Sequence, residues 1–167
     1  MATIFSVLAL FATFYQLYLQ RTHNEKSLRP LGQIDLGDRK KQIYVYIPNN
    51  GMGPLIIDKL TFTKEGNPYN NIGDCLNLDP KSYWHILLND STKKVILPNS
   101  HLVVFEKNIE NHSVEEIDRI RKELSSITLK VDCRDIYDNK FTFERNFEWF
   151  SSIVLPKNWT VEISKII

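Results

Sequence analysis

The sequence is poor in cysteine, in glycine and in any excess of one charge. Two cysteines, Cys75 and Cys133, among 167 residues are too few for a disulfide scaffold or a four-thiolate zinc module. With six glycines, seven prolines and 43% hydrophobic residues, the chain is neither collagenous, low in complexity nor disordered. Lys and Arg number 21 against 20 Asp and Glu. A net charge of +1 gives no field that would hold nucleic acid through its phosphates, so nucleic acid is not an expected partner. No internal repeat is visible, and the length suits one folded domain with an appendage.

The sharpest local absence is charge within residues 2–20. Eleven of these nineteen residues are large and apolar or aromatic: Ile4, Phe5, Val7, Leu8, Leu10, Phe11, Phe14, Tyr15, Leu17, Tyr18 and Leu19. As a helix they reach about 28 Å, close to the hydrocarbon thickness of a bilayer. A secretory signal peptide opens with basic residues before a shorter apolar core, whereas here the first basic residue is Arg21. The expectation is an uncleaved transmembrane helix over 1–20. Beyond it, Arg21, Lys26, Arg29, Arg39, Lys40 and Lys41 outnumber Glu25, Asp35 and Asp38, which predicts a cytoplasmic location for the rest of the chain. Residues 21–30 read as a basic juxtamembrane linker and 31–167 as the soluble domain.

Within the span, Ala2, Ser6, Ala9, Thr13, Gln16 and Gln20 recur at spacings of 4, 3, 4, 3 and 4, which draws a stripe of small and polar residues along one helix face. In lipid, close approach through small residues and hydrogen bonds between polar ones drives helices together. The stripe predicts helix packing. Because the chain has one apolar span, the partner is expected to be a second copy, giving a homo-oligomer; a chance alignment is the competing reading.

After Pro30 short alternating segments dominate. Ile43, Val45 and Ile47 share one side of a strand with Tyr44 and Tyr46 on the other. Further strands are predicted over 55–63, 94–97 and 102–105. Ile127, Leu129, Val131 and Cys133 alternate with polar residues, and a hairpin partner follows with Phe141, Phe143, Phe147 and Trp149 inward. A last strand is expected over 159–166. The fold class expected is mainly β: a transmembrane helix followed by an antiparallel β-sandwich or barrel. One amphipathic helix interrupts the strands, with Ser113 and Glu116 as a capping box and Val114, Ile117, Ile120 and Leu124 as its apolar face. Its spacing predicts Glu115–Arg119 and Asp118–Lys122 ion pairs. Asp79 and Pro80 predict a short helix reaching Leu88.

No residue carries a catalytic signature, and no enzyme activity is expected. His23, His85, His101 and His112 lack ligand spacing, so no metal or cofactor is expected. Asp132, Asp135 and Asp138 lack the glycine and terminal Glu of a calcium loop and read as turn residues. The run from Asn49 to Pro54, with Gly51 and Gly53, reads as a tight connection between strands. Two places invite ligands. Arg145 takes an inward step between Phe143 and Phe147, where a guanidinium demands a carboxylate, a phosphate or an aromatic face, or a bulge that turns it out. Trp84 and His85 are either pocket or core.

The runs SLRPL from Ser27, IYVYIPNNGMGPLIIDKLTF from Ile43 and ITLKVDCRDIYDNKF from Ile127 resemble a loosely defined group of bacterial membrane proteins. These join one N-terminal span to a small immunoglobulin-like β-sandwich, with an Asn-x-Gly-x-Gly-Pro turn and a strand ending near Asp-x-x-Gly-Asn. The chain has Asp138 at the usual glycine. The resemblance implies anchoring in a bacterial inner membrane and an immunoglobulin-like fold, and it brings no catalytic residues. The expected function is a membrane-anchored binding or assembly module that meets an unidentified protein or a small anionic ligand. The alternative is an oligomeric membrane effector, for example in antiviral defence, whose spans permeabilise the bilayer when the β domain senses a ligand.

Overall fold

The computed structural model describes residues 2–39, 41–86 and 93–153. It begins with α1, Ala2–Ser27, a single helix of 26 residues. Arg21 and Glu25 pair at 3.0 Å across one turn, which helps the helix continue past the uncharged stretch. Most of the stretch expected to be a linker is therefore helical. Pro30 disfavours helical geometry at Arg29, and α1 ends at Ser27 with a turn at Leu28.

Nine short strands follow among the described residues: β1 Asp35–Arg39, β2 Gln42–Pro48, β3 Leu55–Lys64, β4 Asn67–Tyr69, β5 Trp84–His85, β6 Lys94–Ile96, β7 His101–Asn108, β8 Ile127–Arg134 and β9 Lys140–Asn146. They form two antiparallel sheets. One runs β1-β2-β7-β5; the other runs β4-β3-β8-β9, with β6 paired to the start of β3. Period-two alternation sets which residues face inward. Ile43, Val45 and Ile47 of β2 are buried, as are Ile127, Leu129, Val131 and Cys133 of β8, and the inward residues of both sheets belong to one apolar core.

The second helix, α2 (Val114–Ser125), connects β7 to β8. Ser113 Oγ accepts from Glu116 N at 3.3 Å and Glu116 Oε2 accepts from Ser113 N at 3.0 Å, so the expected capping box forms. Ile120 and Leu124 are buried, Ile117 is half-buried and Val114 is exposed. The two expected ion pairs do not form. Arg121 instead reaches Asp38 of β1 at 2.6 Å, with both side chains buried, and Asp118 at 2.9 Å. Lys64 of β3 meets Glu123 at 2.9 Å and the Cys75 carbonyl at 2.8 Å. These contacts fasten α2 to both sheets.

Two further expectations need correction. The helix from Asp79 is only a 3₁₀ turn, Pro80–Ser82, with Asp79 accepting from Lys81 N. Tyr83 is extended, and Trp84 and His85 pair with Glu106 and Phe105 of β7; ladder pairing wins over helix continuation. After β9 the chain also leaves the period of two. Phe147 precedes a 3₁₀ turn, Glu148–Ser152, so Phe147 and Phe150, three apart, are buried while Trp149 is exposed. The Phe147 and Phe150 rings meet edge to face at 6.4 Å. The strand expected over 159–166 lies outside the described residues.

Candidate functional site

Asn49 organises the end of the β domain where α1 arrives. Its amide is fully buried; Oδ1 accepts from Leu31 N at 3.2 Å and Gly51 N at 3.1 Å, while Nδ2 donates to the carbonyls of Gly53 at 2.8 Å and Ile96 at 3.0 Å. All four possible bonds of a buried amide are made. Gly51 and Gly53 then pack directly on the chain leaving α1. A Cβ on Gly53 would fall on the Leu28 carbonyl, and one on Gly51 would strike the backbone of residues 29–31. The Asn-x-Gly-x-Gly-Pro turn thus clamps the chain leaving α1 to the domain. Close backbone approach is why glycine stands at both positions.

α1 carries the whole stripe, Ala2, Ser6, Ala9, Thr13, Gln16 and Gln20. Thr13 Oγ1 donates to the Ala9 carbonyl at 2.9 Å, which leaves its oxygen as an acceptor for a neighbour. Gln16 and Gln20 are exposed, and their side chains make no hydrogen bond among the described residues.

Arg145 keeps its inward register opposite the buried Leu129. β9 is an edge strand, however, and Nη1 donates to the Ile34 carbonyl at 2.6 Å while the residue remains exposed. The guanidinium bridges the rim of one sheet to the segment entering the other. Trp84 is exposed, and His85 rests against Tyr83 with ring centroids 5.1 Å apart.

The most distinctive chemistry lies at Lys107. This residue takes an inward step of β7 opposite Ile43 and is only 6% exposed. Nζ donates to Ser82 Oγ at 2.8 Å, and no carboxylate of the described residues is within ion-pair distance. It opens on a cavity of about 270 Å³ lined also by Asp79, His112, Glu116 and Arg119. The two carboxylates serve local structure: Asp79 caps the 3₁₀ turn and Glu116 completes the α2 capping box. His112 Nδ1 is buried with no hydrogen-bond partner, and Arg119 donates to the Asn77 carbonyl at 2.9 Å. Burial pulls the Lys107 ammonium below its ordinary value against the opposing pull of Glu116 and Asp79. A buried ammonium, a guanidinium and an unpartnered imidazole nitrogen line one cavity beside the two carboxylates, polar groups that can meet an oxyanion.

A second groove, about 370 Å³, is lined by Asp58, Asp132, Lys93, Arg134 and Lys140 among others, and its arginine is already held by carboxylates. Arg134 pairs with Asp138 at 2.6 Å and with Asp58 at 3.5 Å. Asp135 is buried and accepts from Tyr137 N, Asn139 N and Asn139 Nδ2, while Asp138 adopts φ of 63°, the left-handed conformation for which glycine is usual. Cys75 and Cys133 are buried free thiols, pushed up to about 11 and about 12 first by burial. Neither is a thiolate at neutral pH. Among the described residues no three His, Cys, Asp or Glu side chains are grouped to hold a metal ion.

Lys107 and Asn49 escape the sequence reading for different reasons. Lys107 follows Phe105 at strand spacing, but the strand read over 102–105 stops short of it; extending the alternation by two residues would have found a lysine on the inward face, the same signal that singled out Arg145. Asn49 sits in a turn rich in Asn and Gly, where its burial has no sequence mark. No protein-family model matches the chain, and no curated protein matches it.

Proposed function

We propose that this chain is a membrane-anchored binding module. α1 crosses a bacterial inner membrane once, copies associate through the stripe from Ala2 to Gln20, and an immunoglobulin-like β-sandwich stands at the cytoplasmic face with the Lys107 cavity as its oxyanion site. The observation that carries the reading is α1 itself: its large apolar side chains from Ile4 to Leu19 are 47 to 68% exposed, an arrangement that water disfavours and a bilayer satisfies. The helix of Thr3–Ser27 is long and apolar enough to cross.

The strand orders support the immunoglobulin-like assignment. β1-β2-β7-β5 follows the A-B-E-D order of that fold, and β4-β3-β8-β9 follows C′-C-F-G. On this assignment α2 occupies the E–F connection. The basic excess after Gln20 supports the cytoplasmic location of the domain.

The test is a pair of fusions after Ile167. A cytoplasm-active fluorescent reporter should light up in the membrane fraction, and alkaline phosphatase at the same point should be inactive. Active phosphatase reverses the orientation, and soluble full-length chain removes the anchor. A second reading, the membrane effector, draws on the clamp at Gly51 and Gly53, because a stiff junction passes domain motion to the span. Depolarisation of cells on induced expression would favour it over a passive module.

A further inference from the structure

The end of the β domain that receives α1 gathers exposed apolar side chains from four separate segments. Leu28 and Leu31 lie on the incoming chain, Met52 at the tip of the glycine turn, Leu97 before β7, and Ile136 and Tyr137 in the β8–β9 turn; these are 38, 58, 71, 59, 46 and 39% exposed. Hydrogen bonds hold the segments together. Asn50 N donates to the Leu31 carbonyl at 2.9 Å, Asn99 N to the Asn49 carbonyl at 3.0 Å, and Ser100 N to the Leu97 carbonyl at 3.1 Å. The β8–β9 turn joins them because Arg134 at the end of β8 pairs with Ile56 near the start of β3, whose other neighbour is β6. Arg29 acts electrostatically on Asp135 in that turn. The opposite end of β3, ten residues and about 33 Å away, carries the polar turn Glu65, Gly66 and Asn67.

We infer that this pole is a lipid-facing surface that rests on the membrane α1 crosses. The inference depends on the transmembrane reading of α1 and adds the attitude of the domain. Distance supports it. From Gln20 to Ser27 the helix rises about 10 Å. The headgroup layer is about 5–7 Å deep. Leu28 and the clamp therefore lie within a side chain's length of the headgroups. Chemistry supports it too: leucines, methionine, isoleucine and a tyrosine suit contact with the headgroup layer. The exposed Lys26, Arg29 and Lys140 suit the anionic lipids of a cytoplasmic leaflet. Because Asn49 and the glycines hold residues 28–31, directly after α1, against the pole, this end of the domain faces the membrane in every copy. The Lys107 cavity, near the other end of β7 beside α2, is thereby held open to the cytoplasm.

Single cysteines at Met52, Leu97 and Ile136, and at the distal positions Asn67 and Asn111, can be labelled with an environment-sensitive fluorophore in the full chain, since Cys75 and Cys133 are buried. The labelled chain is reconstituted in vesicles of phosphatidylethanolamine and phosphatidylglycerol and first tested by flotation. In floating vesicles, the three pole labels should be quenched by a lipid-borne nitroxide and show several-fold lower iodide quenching than the distal pair. Pole labels as accessible to iodide as Asn67 overturn the lipid-facing pole while leaving the anchor intact. A chain that does not float overturns both.

Discussion

At the scale of single residues, polar groups buried at inward positions determine what the domain tolerates. Burial alone pushes the Asp135 carboxyl up, but hydrogen bonds from Asn139 and Tyr137 outweigh it and hold the group below its ordinary range. A carboxyl held low in the folded state contributes stability above its unfolded value, about 3.9, and loses it as pH falls through the folded value. Asp135→Asn should therefore flatten the loss of stability below about pH 4 in acid titrations followed by circular dichroism. Asp135→Ala, which strands two backbone donors, should cost about 2–3 kcal/mol at pH 7 in urea denaturation. Lys107 carries the opposite liability, an ammonium with no carboxylate within ion-pair distance among the described residues. Lys107→Met should leave stability unchanged or raise it by about 1–2 kcal/mol. In the parent protein, inorganic phosphate at ten times its Kd should stabilise by about 1.4 kcal/mol. Thermal shifts at constant ionic strength should lose this stabilisation in Lys107→Met and keep it in Lys81→Gln, a change at an exposed lysine outside the cavity.

At the scale of elements, the sequence reading succeeds where one period governs a segment. β2 and β8 are legible because alternation alone decides which side chains face the core, and α2 is legible because Ser113 and Glu116 mark its start. Segments that answer to a distant partner are not. β5 is two residues long and exists because β7 offers a free edge. Arg121 leaves the solvated face of α2 because Asp38, 83 positions earlier, is buried beside it. That pair gives a sharp contrast between two carboxylates on one guanidinium. Asp38→Ala should cost about 3–5 kcal/mol, since it leaves a buried cation with one exposed partner. Asp118→Ala, at a residue with a 59% exposed side chain, should cost less than about 1 kcal/mol. For α1, cysteine crosslinking in native membranes should peak at 6, 9, 13 and 16 if the stripe is the contact between copies. Gln16→Leu should then weaken association by about 0.6–2 kcal/mol, and Leu8→Ala should matter less. A flat crosslinking profile would mean that the stripe makes no contact.

At the scale of the whole molecule, the sequence shows the appendage and the β domain but not the joint between them. The joint depends on Asn49 being buried and on two glycines meeting the backbone of residues 28–31, three-dimensional facts that a polar, glycine-containing turn does not announce. Reading 21–30 as a linker puts a free segment between α1 and the domain; a helix through Ser27 and a clamp that begins at Leu28 leave no free linker between them. The difference is measurable. Gly53→Val would drive a branched side chain into the Leu28 carbonyl, and the least costly relief is release of the incoming chain, since the core residues of the sheets lie elsewhere. The domain should keep its cooperative unfolding, with a loss of about 1–3 kcal/mol from the broken Asn49 network. Chymotrypsin should meanwhile cut after Leu28 much faster in the variant than in the parent protein, both held in the same detergent. Equal cleavage rates with unchanged stability would mean that the turn accommodates the side chain without opening, and that the span and the domain are not joined through it.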